Sequence, residues 1–402
     1  MNIIIEKSTA SGTIAAPPSK SMAHRMLICA ALGAGGTISN LSYSKDIAAT
    51  ANCLKSLGAT IELNGNTAEV CGINPLNVKD ETTFFCDESG STLRFLLPVC
   101  LLSGKRITLK GSSRLFERPL SVYEDICKEQ NIFFQKGKDY VTVCGKLAPG
   151  NYTVPGDISS QFISGLLFAL PLLQKSSTVT VTGNFESASY IDLTLYALEY
   201  FGIRIERINN IFHIQGNQKY IGRDAVVEGD YSNAAFLDAL NLLGSSVKVT
   251  GLNKDSLQGD RVYPDMFRKL QSTDRQFDLS DCPDLAPVMF AMAAYLGGAA
   301  FTGTARLKIK ESNRAQAMAD ELLKFGIKTT IEENSVVIHN GTIKKPKEIL
   351  CGHNDHRIVM SLSLLCSVTG GEIAGAEAVT KSYPDFFDII RSLGIKIKEK
   401  VD

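Results

Sequence analysis

Basic side chains recur in this chain where helices are expected to begin. Lys20 and Arg25 follow Pro18-Ser19, and Arg94 follows Asp87-Glu88-Ser89-Gly90-Ser91. Arg118 sits in Glu117-Arg118-Pro119-Leu120, and Lys310 and Arg314 flank Glu311 in Lys308-Ile309-Lys310-Glu311-Ser312-Asn313-Arg314. Arg357 ends Asn354-Asp355-His356-Arg357, and Lys381 opens Lys381-Ser382-Tyr383-Pro384. On a solvated helix face, cations alternate with acids at i+4. Here many lie in polar caps or early in apolar runs, where an unpaired charge is costly. A structural ion pair explains any one of them as readily as a ligand does. For the whole set, a shared anionic ligand is the simpler account, because Arg offers a planar fork and Lys a compact charge. Asp284 and Glu311 are the acidic candidates. Flanking cations lower a carboxylate's proton affinity unless apolar burial raises it, and Asp284 suits a helix N-cap equally well. The chemistry such a set supports is the joining of two phosphorylated anions. Cations screen their repulsion and fix their orientation, while acid and base groups move protons.

The elements that must position these residues form an internal repeat of about 70 residues. Six polar openings recur, beginning at Pro18, Asp87, Gly156, Gly229, Asp281 and Asn354. Each leads into an apolar run of helical character and then a β-branched strand, as in residues 163–173 before 178–181, and 234–243 before 247–249. A second helix in most units ends in Leu-x-x-Leu-Gly or a relative, with the glycine suited to a left-handed C-terminal position. The fourth unit is shorter, about 50 residues. Each unit reads as an α/β module of strand, helix, strand, helix, strand. Ser and Asp at the openings satisfy the free N–H groups of a first helical turn. Six N-termini, each carrying roughly +0.5 of an elementary charge, form an anion trap if symmetry aims them at one region.

Composition narrows the class. At 402 residues the chain exceeds one ordinary core. Lys+Arg and Asp+Glu number 42 each, so no general basic coat for nucleic acid exists. No apolar run reaches membrane-spanning length, and residues 1–9 alternate like a strand without a secretory core, so a cytoplasmic protein is expected. The ten cysteines are scattered without a C-x-x-C pair and read as reduced core residues. No H-E-x-x-H set occurs, so no metal is expected. A Walker P-loop and a G-x-G-x-x-G fingerprint after a strand are both missing.

Seven motifs in order make the chain resemble the EPSP synthase (3-phosphoshikimate 1-carboxyvinyltransferase) family over nearly its whole length. They are Pro18-Ser19-Lys20-Ser21-Met22-Ala23-His24-Arg25, Glu117-Arg118-Pro119-Leu120, Ser159-Ser160-Gln161, Val227-Glu228-Gly229-Asp230, the motif at residues 308–314, Asn354-Asp355-His356-Arg357, and Lys381-Ser382-Tyr383-Pro384-Asp385-Phe386. The resemblance implies a two-domain inside-out α/β barrel of six βαβαββ-type units, three per domain. Residues 1–17 with 228–402 would form one domain and residues 18–227 the other, with the active site in the cleft between them. It implies transfer of the enolpyruvyl group of phosphoenolpyruvate to the 5-hydroxyl of shikimate 3-phosphate, with release of phosphate through a tetrahedral intermediate. No cofactor would be needed, no nucleic acid or membrane partner is implied, and a monomer is expected. By residue, Lys20, Ser21, Arg25, Ser159, Ser160, Gln161, Ser187, Tyr190, Asp284 and Lys310 would hold shikimate 3-phosphate. Lys20, Gly90, Ser91, Arg118, Gln161, Arg314, Arg357 and Lys381 would hold phosphoenolpyruvate. Asp284 would accept the proton of the attacking hydroxyl and Glu311 would protonate the enol methylene, with Lys20 counted among the catalytic residues. Arg306 stands where some members carry Asn, and residues 88–94 depart from the commoner Asn-Ala-Gly-Thr form.

Two rivals are distinguishable. The related enolpyruvyl transferase acting on UDP-N-acetylglucosamine has Asn after the early lysine and a reactive Cys in a loop. This chain has Ser21 there, and residues 112–119 contain no Cys. A non-catalytic binder of phosphate or RNA ends is disfavoured by zero net charge and few aromatics beside the basic residues.

Overall fold

The structure is a computed structural model that describes residues 1–400. The chain divides into two compact units, Met1–Pro17 with Glu228–Asp402 and Pro18–Val227, each with its own apolar core. Six helices follow the six polar openings. In the unit Pro18–Val227 they are α1 (Lys20–Leu32), α2 (Gly90–Cys100) and α3 (Ser160–Ala169). In the other unit they are α4 (Tyr231–Leu242), α5 (Ala286–Leu296) and α6 (His356–Thr369). These helices are apolar on nearly every side and buried accordingly: Val368 alone of α6 keeps intermediate exposure. Helices therefore fill the centre of each unit and strands lie outside, the reverse of an ordinary α/β arrangement.

The sheets repeat one pattern. In residues 82–144, strand Thr82–Phe85 runs parallel to Arg106–Lys110, which pairs antiparallel with Tyr140–Cys144, itself antiparallel to Phe133–Lys136. Sheets with the same order include Asn151–Pro155, Ser177–Thr182, Ile211–Ile214 and Ile205–Ile208 in the next repeat. The chain ends complete the pattern. Asn2–Ile5 inserts between Gly371–Ala374 and Ile397–Lys400 and takes the place of a hairpin strand. Ala225–Val226 supplies the parallel edge strand of the first repeat, beside Gly35–Ser39. The short fourth repeat lacks the hairpin, so its sheet has two strands, Ser11–Ala15 parallel to Ser246–Thr250.

Local sequence explains the helix ends. Side chains of Ser19, Ser89, Ser159, Asp230 and Asp355 accept from Met22, Thr92, Gln161, Asn233 and Arg357 amides at the starts of α1 to α4 and α6. Helix α5 differs: a 3-10 turn, Pro283–Leu285, leads into it and no side chain caps it. Asp284 is therefore not an N-cap, which leaves its carboxylate for other work. Second helices such as Lys45–Leu57 and Arg314–Lys324 do end at left-handed glycines, Gly58 (φ 116°) and Gly326 (φ 86°).

All ten cysteines are free; seven are buried, but Cys71 and Cys351 are exposed and Cys144 is half-buried, so the core reading fails for these three. Each is the last residue of its strand, where alternation can turn the side chain outward.

Gly165 of α3 lets that helix approach α2. A Cβ there would lie 2.2 Å from both the Arg94 carbonyl and the Tyr123 hydroxyl, which itself donates to the carbonyls of Arg94 (2.6 Å) and Phe162 (3.1 Å). Gly165→Ala should cost about 1–3 kcal/mol through overpacking. Urea unfolding measures this, and an unchanged midpoint would contradict the close approach.

Candidate active site

In the unit Pro18–Val227, the opening helices bring several expected residues together. Arg25 is 2% exposed, and its guanidinium donates to the Ser21 carbonyl (2.6 Å), the Tyr190 carbonyl (2.8 Å) and the Thr194 hydroxyl (2.8 Å), while lying over the Phe95 ring. Burial pushes this group down to about 10, against the opposing pull of Tyr190 and Cys29. It stays cationic at neutral pH, and it ties α1 to the helix Ala188–Tyr200. That helix begins at Ser187, which is 3% exposed and held in the left-handed region (φ 55°). Lys20, at the first position of α1, pairs with Asp46 at 2.7 Å.

A second set is organised by Arg94. Its Nη1 donates to Gln161 Oε1 (2.7 Å), and Gln161 Nε2 donates to the Ser91 hydroxyl (3.0 Å). Arg94 Nη2 donates to the Pro119 carbonyl (2.9 Å), next to Arg118. One buried arginine thereby sets Gln161, Ser91 and the Arg118 loop. Arg118 lies against the first turn of α2: a Cβ on Gly90 would come within 2.7 Å of Arg118 Nη1. Glycine at this position keeps the turn open to the guanidinium. Ser159 serves as the cap of α3, and Ser160 is buried at its first position.

In the unit containing residues 228–400, a dense charge cluster surrounds Asp284. Arg314 Nη1 (2.7 Å) and Lys310 Nζ (3.3 Å) reach its Oδ1, and Arg357 Nη2 (3.2 Å) reaches Oδ2. Arg314, 1% exposed, also binds Glu311 Oε2 (2.7 Å) and Asp355 Oδ2 (2.9 Å). Asp355 is fully buried, and it caps α6 at the Arg357 amide and accepts from Ser312 (3.0 Å). Lys381 donates to the Asn354 carbonyl (2.5 Å), in the loop that leads to Asp355. Arg306 donates to the Ser280 carbonyl (2.8 Å).

The electrostatics follow from this packing. Burial alone would raise the Asp284 carboxyl, but Arg357, Lys310 and Arg314 together hold it well below the usual carboxylate range. Burial lowers the Lys310 ammonium, and the Asp284 charge opposes that. Burial also disfavours the Arg314 cation, yet Asp355, Glu311 and Asp284 overcome it and raise the group well above its ordinary value. Three organising residues lay outside those assigned to either substrate: Arg94, Asp46 and Asp355. Arg94 stood among the basic residues at the openings and Asp355 in a quoted motif, so both were within reach of the sequence. Asp46 meets Lys20 only through tertiary packing.

His24 is fully buried on α1 and meets Thr50 (2.7 Å), which continues through Thr92 (2.6 Å) to Ser89 (2.7 Å), the cap of α2. Burial holds the imidazole well below 6.5, with Lys20 and Arg25 adding to it. The unfolded chain takes up this proton below about pH 6.5 and the folded chain does not, so stability falls as pH drops through that value. The stability difference between wild type and His24→Gln should therefore shift by about 1 kcal/mol against wild type between pH 6.5 and 5.5; a pH-independent difference contradicts it. Arg314→Met leaves three carboxylates without their shared counter-charge. It should cost about 3–5 kcal/mol in denaturant unfolding, whereas a loss under about 1 kcal/mol would deny Arg314 its central part.

A family profile, EPSP synthase (3-phosphoshikimate 1-carboxyvinyltransferase), matches residues 5–390. A 3-phosphoshikimate 1-carboxyvinyltransferase from Clostridium kluyveri is 41% identical, covering 99% of this chain and 98% of its own. One from Clostridium acetobutylicum is 40% identical, covering 96% of each. A solved structure of EPSP synthase from Acinetobacter baumannii superposes with a TM-score of 0.79 at 21% identity, over 99% of this chain and all of that one, and shares the fold. With six repeats of this architecture and relatives similar along their whole length, the chain belongs to the EPSP synthase (3-phosphoshikimate 1-carboxyvinyltransferase) family.

Proposed function

We propose that this chain transfers the carboxyvinyl group of phosphoenolpyruvate to the 5-hydroxyl of shikimate 3-phosphate and releases inorganic phosphate. The observation that supports it most is Asp284, a carboxylate gripped by Lys310, Arg314 and Arg357 with Glu311 on the same arginine. In this reading Asp284 is the base and Glu311 the acid, with the cations concentrated around them. The residues divide between the two substrates. Ser21, Arg25, Ser159, Ser160, Gln161, Ser187 and Tyr190 hold shikimate 3-phosphate, and Asp284 and Lys310 face its ring. Lys20, Gly90, Ser91, Gln161, Arg118, Arg314, Arg357 and Lys381 hold phosphoenolpyruvate. Because the cations are fixed by packing before substrate arrives, they cost little reorganisation when charge develops.

The steps balance. Asp284 takes the 5-hydroxyl proton as that oxygen bonds to C2 of phosphoenolpyruvate, and Glu311 gives a proton to C3. The tetrahedral adduct then returns a proton from the new methyl group to Glu311 as the C2–O bond to phosphate breaks, and the proton held by Asp284 leaves with the phosphate. The product is the enol ether plus phosphate. Correctly placed acid and base groups contribute ~10²–10⁴-fold each. A cytoplasmic, monomeric enzyme without a cofactor completes this reading.

Phosphate release from phosphoenolpyruvate, with shikimate 3-phosphate or UDP-N-acetylglucosamine as acceptor, tests it. Turnover is expected with the first acceptor, and turnover confined to the sugar nucleotide would overturn it. Lys20→Ala should lower kcat/KM by roughly 10²-fold or more while leaving the unfolding midpoint nearly unchanged, since its ion pair with Asp46 is only partly buried. A near-normal rate removes Lys20 from the mechanism.

A further inference from the structure

Asp260 stands outside every residue assigned above. It belongs to the 3-10 turn Gly259–Val262 and is 4% exposed. Its Oδ2 accepts from the Ser232 hydroxyl in the first turn of α4, and its Oδ1 is buried without a hydrogen-bond partner among the described residues. The charged and titratable groups whose fields act on it are Asp230 from the start of α4, Cys282 and Asp284 from the turn before α5, and Arg357 from the first turn of α6. The last two are already joined to each other, Arg357 Nη2 to Asp284 Oδ2 at 3.2 Å. A buried carboxylate with no ion pair of its own is a poor stabilising device. Its surroundings give it a different use.

We propose that Asp260 is a positioning residue for the proton transfer: held by Ser232 next to the Arg357–Asp284 pair, its carboxylate draws part of the Arg357 charge away from Asp284 and so lets Asp284 take the substrate's proton. The inference rests on the reading of Asp284 as the base. Three cations make Asp284 a reluctant proton acceptor, and general-base rates follow the acceptor's basicity. A second buried negative charge nearby restores basicity. Burial first, then Asp284, push Asp260 up to about 7, against Arg357 and the Ser232 hydrogen bond. Asp260 therefore gains its charge as pH rises through neutrality, and the rate rises with it.

The test is the pH dependence of kcat between pH 5.5 and 9 with saturating phosphoenolpyruvate and shikimate 3-phosphate. The substrates' own phosphates titrate near ~6 in every variant alike, so differences between profiles belong to the protein. Wild type should show a rise centred near 7. Asp260→Asn should lack that rise, with kcat roughly 3–10-fold lower at pH 8.5 and KM for phosphoenolpyruvate equal or lower, because Arg357 keeps its full charge for the anion. Asp260→Glu should restore the rise. Ser232→Ala removes a hydrogen bond to the ionised form and should move the rise to higher pH. An Asp260→Asn enzyme that keeps the rise, or is uniformly slower at every pH with the rise in place, overturns the proposal. Asp284→Asn separates the two claims. If it turns over at the wild-type rate, the base assignment fails and this inference with it. If it is inactive while Asp260→Asn keeps the rise, only this inference fails.

Discussion

The buried guanidinium of Arg314 is the constraint on which the charge cluster around Asp284 depends. A cation with 1% of its surface exposed is tolerable only if carboxylates enclose it, and Asp284, Glu311 and Asp355 do so. Those three carboxylates come from distant parts of the chain: the turn before α5, the loop before the helix Arg314–Lys324, and the cap of α6. One side chain thus fixes the proposed base, the proposed acid and a helix terminus to a common point. Lys310 and Arg357 add charge to the same point, and the net effect is a carboxylate kept ionised amid cations rather than an ion pair that only stabilises.

The repeat makes such convergence possible. Each opening helix is apolar almost all round and must be buried, which brings the polar first turns of α1, α2 and α3, and of α4, α5 and α6, towards shared regions within their own units. Where five of these helices use Ser or Asp as a cap, α5 uses a 3-10 turn instead, and Asp284 is released from capping to meet Arg314. The departure from the local rule falls at the proposed base, as expected where function competes with regularity. In the other unit Arg94 has the organising part, linking Gln161, Ser91 and the carbonyl beside Arg118.

Much of this was legible in the sequence because it rests on local rules. Helix caps at Ser19, Ser89, Ser159, Asp230 and Asp355, and left-handed glycines at Gly58 and Gly326, follow from residue type and position. The short fourth repeat showed in its length, and the structure explains it by the missing hairpin. What was not legible is pairing across long separations. Nothing near Lys20 points to Asp46, nothing near Arg25 points to Thr194, and Asp260 carries no motif. The N-cap alternative for Asp284 could be settled only by seeing that α5 begins one turn later than its opening suggests. Cys71 and Cys351 failed the core reading because each ends its strand, where exposure depends on which face the sheet buries.

The central claim, that the cation-gripped carboxylate of Asp284 takes the hydroxyl proton, is tested most directly by rapid-quench single turnover of Asp284→Asn alongside its equilibrium binding of both substrates. Substrate affinities are expected within a few-fold of wild type, with adduct formation slowed by ~10²–10⁴-fold, the range of a lost general base. Adduct formation at the wild-type rate, or a loss that lies entirely in substrate binding, would contradict it.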